Sequence, residues 1–106
     1  MSAKDILEDN VETKDGSFLH YLRNKSEFNK EAFKKLYAAI RVLADEEVGI
    51  SRTAQNINYI YGQILKCLLF HFDKNDEFKI NNLPDNYSKL VEYLDNSVEY
   101  YFKTRI

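Results

Sequence analysis

The chain has almost none of the residues that break structure. Three Gly and one Pro are spread over 106 residues. All-β folds spend both residues on frequent turns, so this scarcity excludes them and favours long helices with few connections. Trp is absent, and there is one Cys. A lone thiol excludes an internal disulfide framework and a CxxC site, and Cys67 lies in an apolar run that suits a buried free thiol. That usage fits a reducing, cytoplasmic setting. The two histidines, His20 and His71, are too far apart in sequence for metal-ligand spacing. Phosphate-cradling Gly loops and HExxH are missing, so no catalytic residue, metal or cofactor is expected. Cationic excess is also missing: 15 Lys and Arg stand against 17 Asp and Glu. A nucleic-acid binder normally carries a basic face. No apolar leader opens MSAKDILEDN.

What is present is aromatic and periodic. Eight Tyr and seven Phe are set among runs with helical spacing. Residues 1–16 are polar, with a narrow edge of Ile6, Leu7 and Val11, and read as a short or frayed helix that Gly16 ends. Ser17 is placed to cap a short helix over FLHYLRN, with Phe18, Leu19 and Leu22 inward. Asn29 caps the next helix, over about 30–46, in which Phe33, Leu36, Tyr37, Ile40 and Leu43 share a face. Gly49 is a plausible C-terminal stop for it, and Ser51 a cap for the helix that follows.

Residues 52–72 (RTAQNINYIYGQILKCLLFHF) hold two charges, Arg52 and Lys66, and no acid. A helix apolar around most of its girth must be enclosed by others. Its polar residues, from Gln55 to His71, exclude a membrane span. A main stripe of Ala54, Ile57, Ile60, Tyr61, Ile64, Leu65, Leu68 and Phe72 is expected, with Gly62 marking a close helix crossing. A polar connection over 73–85 is pinned by Phe78, Ile80 and Leu83. Pro84 opens a last helix over about 84–103, with Tyr87, Leu90, Val91, Leu94, Val98 and Tyr101 inward. The expected fold is a single all-α domain, a bundle of four to five helices around a central apolar helix at about 52–72.

Three candidate chemistries compete. Cys67 and His71 share a helix face at i, i+4, which a thiolate–imidazole pair could use. The apolar neighbours raise the thiol pKa, and a hydrogen-bonded helix-end histidine is the simpler reading. VLADEEVGISRTAQNINYIY superficially fits a helix-turn-helix, but Asp45, Glu46 and Glu47 would repel phosphates and Arg52 is the only cation early in the second helix. The third signal is acidic and aromatic. Glu92, Asp95 and Glu99 recur at spacings of 3 and 4, so they share one face of the last helix. Tyr93 and Tyr100 lie off its apolar stripe, as interface anchors do. Asp45, Glu46 and Glu47 form an alternate patch, and Asp73, Asp76 and Glu77 a third cluster. Together these read as a docking face for a basic partner.

In size, in its Tyr/Asn/Lys-rich helical composition and in its early SFLHYLRN segment (Ser17 to Asn24), the chain resembles the small immunity proteins of bacterial contact-dependent growth inhibition and polymorphic toxin systems. That resemblance implies a non-enzyme that binds one cognate toxin domain, often a nuclease with a basic cleft, and blocks it. It implies no site residue individually. The expected partner is therefore a toxin protein, met by a monomer or weak homodimer. The alternatives are a helix-turn-helix-like or adaptor-type regulator, and a phage or host-interaction inhibitor of another enzyme.

Overall fold

The computed structural model describes residues 2–46 and 52–104. Four α-helices run in the order α1 (Ala3–Val11), α2 (Lys30–Glu46), α3 (Arg52–Phe72) and α4 (Tyr87–Lys103), with a π-helical turn at His20–Asn24 between α1 and α2. The described residues contain no strand. No helix among them is long and apolar enough to cross a membrane.

The first helix is better built than its sparse apolar edge suggests. Ser2 and Asp5 form a reciprocal capping box, with Ser2 Oγ accepting from the Asp5 N–H at 3.1 Å. The far end closes on Thr13 at φ 56, where the Thr13 N–H donates to Asn10 and the Lys14 N–H to Asp9. That is a Schellman closure with a β-branched residue in the left-handed position glycine usually fills. Leu7 and Asn10 are buried. Asn10 bridges Nδ2 to the Ile6 carbonyl at 2.9 Å and Oδ1 to the Leu19 N–H at 3.0 Å. Residues 3–11 thus form the short helix, the first of the two forms expected, capped at both ends. Gly16 then turns the chain at φ 94, a value only glycine takes at little cost.

Ser17 caps the following turn as expected, accepting from the His20 N–H at 3.2 Å. Phe18, Leu19 and Leu22 are buried. The ring of Phe18 meets those of Phe28 and Phe33, each 5.0 Å between centroids. Asn29 Oδ1 accepts from Ala32 and opens α2. The caps proposed at Gly49 and Ser51 lie outside the described residues. The connection over 73–86 is held by the pairs Phe28–Asn82 and Asn81–Ser26, with Ile80 buried. The Ile80 N–H donates to His71 Nδ1 at 2.8 Å, so His71 is indeed a hydrogen-bonded helix-end residue. Pro84 sits in a turn just before α4, its carbonyl accepting from Tyr87.

The main correction concerns α3. It is not enclosed: Leu65, Leu69 and Phe72 are 40%, 70% and 54% exposed. Its buried residues are Thr53, Ile57, Ile60, Ile64 and Cys67. The body measures 42 × 25 × 20 Å. A helix with side chains is about 10–12 Å across, so the short axis holds two helix layers and none can be covered all round. Two helices have neighbours on two flanks, α2 packed against α1 and α4, and α1 packed against α2 and α3; α3 packs chiefly against α1. Gly62 marks no crossing, since a Cβ built there meets nothing within 4 Å.

Candidate functional site

The periodicity of α2 and α4 decides which side chains flank their junction. Buried Leu36, Ile40 and Leu43 lock α2 against Leu94, Val98 and Tyr101 of the core. One step around α2 from that stripe lie Tyr37, Arg41 and Asp45, spaced i, i+4 on one edge. The matching edge of α4 carries Tyr93, Asn96, Ser97 and Tyr100. Between them runs an open groove of about 540 Å³, lined by Tyr37, Ala38, Arg41, Val42, Asp45, Tyr93, Asn96 and Ser97.

The groove has a built wall. The Tyr100 hydroxyl donates to Asp45 Oδ1 at 2.5 Å, and the Arg41 guanidinium lies 4.1 Å from the Tyr100 ring centroid. Arg41, Tyr100 and Asp45 thus hold one another across the α2–α4 junction. The bond to Asp45, and then its charge, raise the Tyr100 phenol pKa, so Tyr100 stays a neutral donor at physiological pH. At the other end the Tyr37 and Tyr93 rings stand 6.0 Å apart, and Tyr93 is 43% exposed. The groove therefore offers two aromatic faces, one cation and one anion to a protruding side chain.

Two patches that the sequence keeps 55 residues apart become one site here. Asp45 joins Tyr93 and Tyr100, and Glu46 is exposed at the end of α2. Glu47 lies outside the described residues. Glu92 and Glu99 are exposed on the outer crown of α4. Asp95 is the exception. It sits on the α3 edge of α4 and accepts from the Tyr61 hydroxyl at 2.6 Å. Burial first, then this bond and the charges of Asp95 and Glu99, push the Tyr61 pKa up to about 12. Asp95 is therefore a strut between helices. Arg41, Tyr37 and Asn96 were missed by composition alone. The i, i+4 run Tyr37–Arg41–Asp45 was the available signal.

The other candidates lose ground. Burial raises the pKa of Cys67, and His71 Nδ1 already accepts from the backbone. Among the described residues no three His, Cys, Asp or Glu could hold a metal. Arg52 lines a small pocket with Glu8 of α1 and Glu12 just after it, a poor setting for a phosphate. The SFLHYLRN segment places Phe18, Leu19 and Leu22 in the core and leaves Arg23 and Asn24 exposed, so its apolar residues are packing residues. No family model, curated protein or solved structure matches the chain.

Proposed function

We propose that this chain is an immunity-type inhibitor, which binds one toxin domain stoichiometrically and covers its basic, nucleic-acid-binding cleft. The observation that carries the reading is the convergence of Asp45, Tyr93 and Tyr100 on one groove beneath the outward carboxylates Glu92 and Glu99. Anions on the crown take the place of substrate phosphates and steer the encounter. The tyrosines supply broad contact area at little conformational cost, and the groove receives a side chain from the cleft rim. Arg41, pinned on Tyr100, holds that wall in one geometry before the partner arrives, which lowers the ordering cost of binding. The expected reaction chemistry is none: occlusion suffices.

Co-expression with a candidate toxin domain, sought in the gene next to this one, tests the reading. Wild-type protein should restore growth, and Glu92→Lys with Glu99→Lys should abolish the rescue. Exposed substitutions of this kind move stability by about 0.5 kcal/mol or less. A double variant that melts early yet still protects would remove these carboxylates from the site. A salt-sensitive gel shift on DNA would instead support the regulator reading.

A further inference from the structure

Among the described residues the outer face of α3 is largely open: Phe72 rests on the Tyr87 ring, 5.3 Å between centroids, while Leu65 and Leu69 have 40% and 70% of their surface exposed. Its inner seam, Thr53, Ile57, Ile60, Ile64 and Cys67, runs at spacings of 4, 3, 4 and 3 and is buried. A second seam at the same spacings, Asn58, Gly62, Leu65, Leu69 and Phe72, runs along the other side. Leu65, Leu69 and Phe72 are exposed, and nothing stands within 4 Å of a Cβ at Gly62. A 4-3 seam is the pattern by which one helix seats on another, knobs into holes. Gly62 has no positive φ and no internal neighbour to require it. On this seam it is a notch.

We infer that this face binds α3 of a second copy of the chain, antiparallel, about a two-fold axis level with Cys67. The seam is graded, small in its first half (Asn58, Gly62) and bulky in its second (Leu65, Leu69, Phe72). Reversal makes such a seam complementary to itself. Leu65 then meets Leu69 of the second copy, and Gly62, the smallest residue, receives Phe72, the largest. The two-fold makes each contact twice. The exposed parts of Leu65, Leu69 and Phe72, taken over both copies, amount to roughly 700 Å². That is the size of a weak, reversible dimer, short of an obligate one. The seam carries no charge, while Lys66 borders it and comes near Lys66 of the second copy. Added salt screens that repulsion, so it strengthens the pairing. The contact is separate from the α2–α4 groove and stands whether or not a toxin is the partner.

Sedimentation equilibrium of the whole chain between about 1 μM and 1 mM tests it. The mean mass should climb from 12.5 kDa toward twice that value, and climb further in high salt. Leu69→Glu should weaken association at least about tenfold, with helical circular dichroism and melting unchanged. Orientation is read with Leu65→Cys and Leu69→Cys chains, each also carrying Cys67→Ala. Their mixture should cross-link faster than either alone. A mass fixed at 12.5 kDa up to 1 mM, a dimer indifferent to Leu69→Glu, or faster self-linking by each cysteine chain overturns the inference.

Discussion

Replacing Gly62 by Ala should stabilise the protein, and the size of the gain follows from the surroundings. Gly62 lies in the middle of α3, in helical backbone, with open space where a methyl group would go. Ala therefore fits without strain or contact, and what changes is helix propensity, about 0.8–1.0 kcal/mol in favour of Ala. For a domain near 100 residues that raises the melting midpoint by about 5 °C. In urea the midpoint should rise by roughly 0.5 M with an unchanged slope, taking about 2 kcal/mol/M for the slope. Melts followed by circular dichroism at about 1 μM, where a weak dimer is dissociated, isolate the monomer effect.

Gly16 supplies the control. A Cβ there also meets nothing within 4 Å, but φ is 94. Gly16→Ala should cost about 1 kcal/mol for the left-handed backbone alone. Two equal substitutions in equally open surroundings should thus move stability in opposite directions. If Gly62→Ala lowers the midpoint, α3 is covered at that point in the isolated chain, and its exposed face is not exposed. At high concentration Gly62→Ala should also weaken self-association, because it begins to fill the notch for Phe72. A substitution that makes the monomer more stable and the dimer less so is hard to obtain by any route other than a contact at Gly62.

Two further outcomes rest on single groups. Thr13→Gly should stabilise by about 1 kcal/mol, since it relieves a β-branched residue at φ 56 while keeping the Schellman bonds; a loss in the urea midpoint would mean the Thr side chain contributes more than its backbone costs. Tyr61→Phe should destabilise by about 1 kcal/mol near neutral pH by removing the donor to Asp95. The Tyr61 pKa is raised in the fold, so its contribution is full below the ordinary phenol value near 10 and is lost as pH climbs toward about 12. The wild type should therefore lose more stability than Tyr61→Phe across that interval, and parallel denaturation curves at both ends would refute the assignment.

Much of the fold was legible because helix signals are local. The α2 and α3 spans, the caps at Ser17 and Asn29, and the pinning role of Ile80 all follow from neighbours within a turn or two. The strength of α1 was also local, in the Ser2–Asp5 box, but is overlooked when only apolar residues are weighed. The enclosure of α3 is a different kind of question. Hydropathy says that Leu65, Leu69 and Phe72 favour burial. It does not say whether 106 residues supply enough other helices to bury them. Inward Thr53 and Cys67 against outward Leu69 show that the angle around the helix ranks above side-chain polarity. Two interleaved 4-3 seams were present in the sequence from the start, and counting spacings rather than apolar residues separates them.

The site follows the same division. Spacing alone put Glu92 and Glu99 outward on α4, and both are exposed there. Spacing also grouped Asp95 with them, because nothing within the helix reveals a partner. Its partner is Tyr61, 34 residues earlier, and that hydroxyl turns the carboxylate into a tie between α3 and α4. Asp45 and Tyr100 are joined across 55 residues in the same way, yet there the bond assembles a groove wall instead of consuming the anion on a strut. Hydrogen bonds of one type thus tie Asp95 to α3 and tie Asp45 to Tyr100 beside the α2–α4 groove. Which result a carboxylate meets depends on whether the phenol reaches it from inside the helix junction, as Tyr61 does, or from its solvent edge, as Tyr100 does. That distinction is geometric, and only the packing of α2, α3 and α4 supplies it.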